Sequence, residues 1–288
     1  MLETLKDKDQ KRAAAYFRQL YKQSIESEAL LPYVNDLTAL LAERDTHIAT
    51  WAFLLLIRQF RHLDLSAYFA KLQDYVRHCG GIALREAIQG VSQEIDYSPE
   101  LLALFQGIKT EDYGPSLAPL IQKDLDGLTK IRKMSSEEYC LLADYTYEAI
   151  FVEEGRPKPE RAILEKPLLK LYYQDFGQGE ADLAMVACVG LYVVGACWCR
   201  KIRDYGYISA DIPSLAIAVN SDFRGLGLGK KLLKALFEEA GKRGYPALSL
   251  SVQRANPAFA LYLSMGFRIY RETLEEIIMI KDLEAQDE

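Results

Sequence analysis

The run Leu215-Ala216-Ile217-Ala218-Val219, followed four residues later by Arg224-Gly225-Leu226-Gly227-Leu228-Gly229-Lys230, decides how this sequence folds. Five consecutive apolar residues predict a buried strand. Beyond the glycines, Leu228, Leu232, Leu236 and Ala240, with Leu233 and Phe237, recur at helical spacing and predict an amphipathic helix to about Arg243. The unit is therefore a strand, a glycine loop and a helix. A Walker phosphate loop needs four residues between its first glycine and Gly-Lys, then Ser or Thr. Here three residues separate Gly225 from Gly229, and Lys231 follows Lys230. A dinucleotide fingerprint needs a glycine three places after Gly227 or Gly229, where Lys230 and Leu232 stand. What survives is the underlying physics. Glycines let backbone approach a ligand closely, and the free N–H groups at a helix start attract an anion. Lys230 and Lys231 occupy the first helical turn, where a cation is unfavourable unless an anion is bound.

Downstream, Ser249-Leu250-Ser251-Val252 alternates as a strand, Asn256 is suited to cap a short helix, and Pro257 to be its first residue. That helix, about Pro257 to Met265, carries Tyr262 and ends before Gly266-Phe267. With these residues in order, Val219 to Phe267 resembles the GNAT superfamily of acyl-CoA-dependent N-acetyltransferases. Arg224, Gly227 and Gly229 meet its Arg/Gln-x-x-Gly-x-Gly/Ala signature, and Asn256-Pro257-Ala258, Leu261-Tyr262 and Gly266-Phe267 match its second signature. The likeness extends more loosely over about residues 128–283, including Val194-Gly195 and Met279 to Leu283, and does not cover the first part of the chain.

The resemblance implies a function: transfer of an acetyl group from acetyl-CoA, a co-substrate, to a primary amine by direct attack, without a metal. By that likeness the backbone of Ile217, Ala218 and Val219 pairs with the pantetheine arm. The N–H groups of Arg224, Gly225, Leu226, Gly227, Leu228 and Gly229, with Lys230, cradle the pyrophosphate. Asn256 lies near the pantetheine and Tyr262 faces the thioester sulfur. A phenol of pKa ~10 is suited to protonate a departing thiolate of pKa ~8.5. The base is left open. Many relatives carry a glutamate on the strand before the glycine loop, whereas Ser214 to Ala218 offer no carboxylate, leaving Asp211, Glu153, Glu154 or a water relay. Tyr172, Tyr173 and Phe176 fall where the family builds its acceptor wall, though such aromatics more often serve packing than ligand contact. Cys188, Cys197 and Cys199 alternate in apolar surroundings and read as small core residues. The missing strand glutamate also motivates an alternative, an acyl-CoA-binding regulatory protein without turnover whose helical domain docks a protein partner.

Outward from this core the organisation is uneven. Before Gly127 there are 5 Gly and 4 Pro, and from Gly127 onward 13 Gly and 6 Pro. No proline falls between Tyr33 and Ser98. In that stretch Leu30, Val34, Leu37, Leu40 and Leu41, then Trp51, Leu54, Leu55 and Ile57, then Leu65, Tyr68, Phe69, Leu72 and Val76 keep helical spacing, with Trp51 to Ile57 as the central helix. The expectation is α+β: an all-helical bundle domain of about five or six helices over 1–115, with function unassigned, and a mixed β-sheet domain flanked by helices over 128–288. The Gly/Pro stretch Thr110 to Gly127 reads as the connection. In the second domain the patterns predict strands at Leu128 to Arg132, Leu183 to Arg200 (a hairpin), Leu215 to Val219, Ala247 to Val252, Phe267 to Tyr270 and Glu276 to Lys281, and a helix from Ser136 to Phe151.

The 288 residues carry 35 Lys+Arg against 41 Asp+Glu, a net charge of -6, which argues against nucleic acid as a partner and leaves room for a cationic amine, small molecule or protein. Leu183 to Cys199 is uncharged for 17 residues, but Gly190 and Gly195 interrupt it, so it reads as two buried strands and no membrane is expected. Five sparse cysteines and a charged N-terminus point to a reducing, cytoplasmic setting. All three histidines (His47, His62, His78) precede the mixed domain, which removes a histidine base or a histidine metal site from it. A homodimer is left open.

Overall fold

In the computed structural model, residues 20, 31–43, 47–58, 66–94, 99–153 and 155–283 are described. The chain divides into two units, one reaching to Lys130 and including Val189–Tyr192, the other holding Ile131–Cys188 and Val193–Glu288.

The described residues of the first unit up to Gly127 are mainly helical: α1 (Val34–Leu40), α2 (His47–Arg58), α3 (Phe69–His78), α4 (Gly81–Glu94), α5 (Pro99–Ala103) and α6 (Gly114–Gly127). Helix α2 is the core helix that the Trp51 to Ile57 spacing predicts, since Ala52 to Ile57 are all buried. It packs against α1 and α4, and α4 against α6. Gly90 permits the contact of α2 with α4, because a Cβ there would lie 2.0 Å from Leu54 Cδ2. Arg85 on α4 donates to Asp124 on α6 at 2.6 Å. Leu30 and Leu65 lie outside the described residues.

One expectation is corrected here. The Gly/Pro stretch read as a connection is a 3-10 turn (Thr110–Tyr113) followed by α6, and the first unit runs to Lys130. Gly114 takes φ 75° at the start, Pro115 sits in the first turn, and Pro119 lies inside the helix. Proline so near a helix start forfeits few intrahelical bonds, so residues that signal a loop here open a helix.

The second unit contains a seven-stranded sheet of order β1-β2-β3-β4-β5-β7-β6, with β1 (Lys130–Lys133), β2 (Leu183–Val189), β3 (Tyr192–Arg200), β4 (Ser214–Val219), β5 (Ala247–Gln253), β6 (Arg268–Glu272) and β7 (Glu276–Asp282). Its helices are α7 (Leu142–Ala149), α8 (Pro167–Lys170), α9 (Leu228–Lys242) and α10 (Ala258–Ser264). The α+β architecture is therefore as expected. The predicted first strand starts two residues later, because Leu128 still caps α6. The predicted Ser136 to Phe151 helix is a 3-10 segment (Ser136–Leu141) leading into α7, which stops at Ala149. Ser135 and Glu138 close a capping box at its start, and Arg132 grips the same Glu138 carboxylate with two bonds of 2.6 Å. The uncharged Leu183 to Cys199 run is β2 and β3, and no helix among the described residues is long and apolar enough to cross a membrane.

On one sheet face Trp198, Ala196, Val186 and Ala184 pack with Leu142 and Tyr145 of α7 and with Phe176. On strand β3 the alternate positions Gly195, Cys197 and Cys199 point the other way, and Gly195 leaves only 3.3 Å between a built Cβ and Leu232 Cδ1 of α9. The loop before β2 is tied to β3 by a buried ion pair. Arg200 donates to both Asp182 oxygens (2.8 and 3.0 Å) and to the carbonyls of Leu171 (2.8 Å) and Gln174 (2.7 Å), while Asp182 also accepts the Gly177 N–H at 2.7 Å.

Candidate active site

Strands β4 and β5 are the parallel pair at the centre of the sheet. Strand β4 is zipped to β3 over six register pairs, Gly195↔Val219 to Arg200↔Ser214, yet between β4 and β5 the register pair among the described residues is Ser214↔Ser249. Past that point Leu215 to Ile217 and Leu250 to Gln253 both line a cavity of about 310 Å³, and Ile217 to Val219 line a second cleft of about 760 Å³. Among the described residues no strand pairs with the side of β4 facing β5 there, an edge that an extended ligand arm can complete.

The cleft is bounded by β4, by Arg224 and Gly229 of the glycine loop, by Asn256, Leu261 and Tyr262, and by residues 148–153 with Arg156 and Lys158. Gly225 and Gly227 take φ of 79° and 76°, and a Cβ at either would meet nothing within 4 Å. These glycines are therefore required by backbone conformation and not by crowding: the left-handed turn at Gly227 directs the chain into α9, whose start has no side-chain cap. The opening N–H groups of that helix remain available to an acceptor from outside. Arg224 is exposed but engaged: its Nε donates to the Val219 carbonyl at 2.9 Å, and a terminal nitrogen lies 3.5 Å from Glu148. It thereby pins the loop to the end of β4.

Of the residues expected from sequence, Ile217, Ala218, Val219, Arg224, Gly229, Asn256 and Tyr262 come together around this cleft. Gly225, Leu226, Gly227 and Lys230 lie in the loop and first turn without lining it, and the Leu228 side chain is core, 1% exposed. Asn256 caps as expected, its Oδ1 accepting the Ala258 N–H at 2.9 Å, although the helix proper begins at Ala258 and not at Pro257. Tyr262 lies on the walls of both cavities, as do Asn256 and Ile217. Its ring packs edge-on against Phe267 at 5.8 Å. Gly266, at φ 84°, ends α10 and lets the Phe267 N–H reach back to the Tyr262 carbonyl at 3.1 Å. The Gly-Phe pair thus sets the tyrosine's position. Burial pushes the Tyr262 phenol above its usual 10, so it keeps its proton through neutral pH.

The smaller cavity is walled by Phe151, Leu169, Tyr172, Trp198 and Tyr205. Tyr172 is on this wall, while Tyr173 and Phe176 are turned elsewhere: Tyr173 donates to the Leu164 carbonyl at 3.0 Å, and Phe176 stacks beneath Arg200 and against Tyr139. Behind Tyr172 its hydroxyl donates to Asp204 at 2.5 Å, and Ser214 donates to the same oxygen at 2.6 Å. Burial raises the Asp204 carboxyl above its ordinary value, opposed by those bonds.

Among the carboxylate candidates, Asp211 lines neither cavity, Glu153 lines the larger cleft, and Glu154 lies outside the described residues. The carboxylate in the smaller cavity is Glu276, the first residue of β7, which accepts a hydrogen bond from Ser251 at 3.3 Å. Sequence reasoning missed it because the residue sits beside β5 through the antiparallel pairing Gln253↔Glu276, a partnership of distant segments without a local signal. The three buried cysteines of β2 and β3 form no disulfide and are packed in the sheet, and the described residues contain no group of side chains able to hold a metal.

Residues 147–267 match the sequence profile of the Acetyltransferase (GNAT) family. The [Ribosomal protein bS18]-alanine N-acetyltransferase of Escherichia coli K12 is 48% identical over 52 residues, 18% of this chain and 35% of that protein. The protein of the same description from Salmonella typhimurium shows the same identity and coverage. The chain therefore spans about a third of the length of the curated relatives it matches. Among solved structures, the ribosomal-protein-S18-alanine N-acetyltransferase from Escherichia coli superposes with TM-score 0.38 and 26% identity, covering 56% of this chain and 97% of that one. The PaiA N-acetyltransferase from Thermoplasma acidophilum in complex with coenzyme A gives 0.42 and 23%, covering 54% and 98%.

Proposed function

We propose, from the premise that residues 147–267 form a GNAT acetyltransferase domain, that the protein transfers an acetyl group from acetyl-CoA to a primary amine by direct attack. The observation that carries this reading is the meeting of two cavities at Tyr262, Asn256 and Ile217. One cavity leads to a glycine loop built for an anion; the other is a small aromatic-walled chamber. A two-substrate transfer needs this arrangement, because the acyl carbon has to be presented at a junction that an amine reaches from the other side.

In this reading the free side of β4 at Ile217, Ala218 and Val219 takes the pantetheine arm, and the N–H groups from Arg224 to Gly229, with Lys230, take the pyrophosphate. Asn256 holds its cap and faces the arm. Tyr262, protonated at neutral pH, supplies the proton to the thiolate as the C–S bond breaks. The acceptor is an amine on a small molecule or a protein; the curated relatives are named for a ribosomal-protein alanine. A reducing cytoplasm suits five cysteines that form no disulfide.

The test is direct. Acetyl-CoA at 100 times its dissociation constant should stabilise the fold by about 2.7 kcal/mol, read as a rise in melting temperature. Amine-dependent release of the CoA thiol should follow. Stabilisation without thiol release across a broad amine panel would favour an acyl-CoA sensor, and the absence of any melting shift would sink the reading.

A further inference from the structure

The smaller cavity describes its own ligand. At about 310 Å³ it stands at the low end of the volumes typical of small-molecule sites, roughly 300–1,000 Å³. Its walls mix polar groups with the rings of Phe151, Tyr172, Trp198 and Tyr205, and its charged side chains are two, Lys166 and Glu276. Glu276 is half-buried and held from two directions: Ser251 donates to its carboxylate, and the turn before β7 fixes its backbone, with the Glu276 N–H on Thr273 Oγ1 at 3.0 Å and the Thr273 N–H on the Glu276 carbonyl at 2.8 Å. The cavity also reaches Tyr262. A carboxylate and a buried phenol on the walls of one chamber supply a proton acceptor and a proton donor, the pair that aminolysis of a thioester uses.

Resting on the acetyltransferase reading above, we propose that Glu276 is the catalytic base and that the acceptor is a monocationic primary amine on a compact apolar body, seated against Phe151, Tyr172 and Trp198. The carboxylate binds the ammonium and takes one proton. The neutral nitrogen then attacks the thioester carbonyl, forming C–N as C–S breaks. Tyr262 protonates the thiolate, and the second N–H proton returns to the tyrosinate. The balance is one ammonium and one thioester to one amide, one thiol and one proton, which leaves on Glu276. A second cation in this chamber would lose its hydration without a partner and would meet Lys166, so polyamines are disfavoured.

The experiment uses the full chain with acetyl-CoA and two probes, 2-phenylethylamine and spermidine. On the wild type, kcat/KM for 2-phenylethylamine should exceed that for spermidine at least tenfold; equal or reversed preference, or no turnover of 2-phenylethylamine, overturns the proposal. Glu276→Gln should lower kcat/KM for 2-phenylethylamine by about 10²-fold or more, with the acetyl-CoA melting shift unchanged. Its residual rate should climb with pH as the free amine becomes abundant, and Glu276→Asp should recover part of the loss. The groups that share this pH range of influence are Lys166, Tyr172, Tyr205 and Tyr262 on the cavity walls and Arg254, Glu272 and Glu275 at the neighbouring turn, all present in both proteins. An unchanged rate and pH profile in Glu276→Gln overturns the assignment. The amine preference is read on the wild type, so it decides even where a variant does not fold. An intact acetyl-CoA shift alongside a failed amine arm separates the loss of this inference from the loss of the reading beneath it.

Discussion

The proton-donor role proposed for Tyr262 rests on what surrounds that side chain. Burial raises its phenol pKa, the Phe267 ring holds it in place, and its position on both cavity walls puts it where an acyl group and an amine would meet. Tyr262→Phe should therefore reduce kcat by about 10²-fold while leaving the acetyl-CoA melting shift intact, since the ring is kept and only the proton is lost. An unchanged kcat would remove the role. At Glu138 the consequence is thermodynamic. The Arg132 fork, aided by the capping box, holds this carboxyl down at about 2 against an ordinary 4.5. A depressed pKa contributes stability above the unfolded value that is lost as pH falls through the folded one, so the contribution should vanish between about pH 4.5 and pH 2. Urea midpoints of Glu138→Gln should lie below the wild type at pH 7 and converge with it across that window.

At the scale of elements, the turn from β4 into α9 depends on backbone conformation more than on contacts. Gly227→Ala meets open space, so any penalty is the cost of the left-handed region, about 1–2 kcal/mol. The expected result is a lower unfolding midpoint together with weaker acetyl-CoA binding by isothermal titration; full affinity would detach the loop from the anion. The Arg200–Asp182 pair belongs to the same scale. With side-chain exposures of 11% and 3%, and with loop carbonyls and N–H groups gathered around it, removing one partner leaves a buried charge uncompensated. Arg200→Met should cost about 3–5 kcal/mol in equilibrium unfolding. The signature elements were readable because their information is local: a glycine needing positive φ, a cap, an apolar helix face. The Thr110 to Gly127 stretch misled for the converse reason, since Gly and Pro have one meaning in a loop and another in the first turns of a helix, and packing of α6 on α4 decided between them.

For the whole molecule, every residue placed around the two cavities belongs to the second unit. Acetyl-CoA should accordingly slow amide hydrogen exchange in residues 217–231 and 256–262, with the helices between residues 34 and 127 unchanged. Protection confined to the helical unit would misplace the site. By itself the sequence determined the helical first part, the mixed sheet, the glycine loop before its helix and the tyrosine on its short helix, because each is encoded over a few residues by periodicity, capping or backbone freedom. Only the tertiary structure decided that β4 and β5 cease pairing beyond Ser214↔Ser249, that two cavities open there, and that Glu276 enters one of them. Those facts follow from which distant strands pair and in what register, a balance of burial and backbone hydrogen bonding across the whole sheet that no single stretch of chain contains.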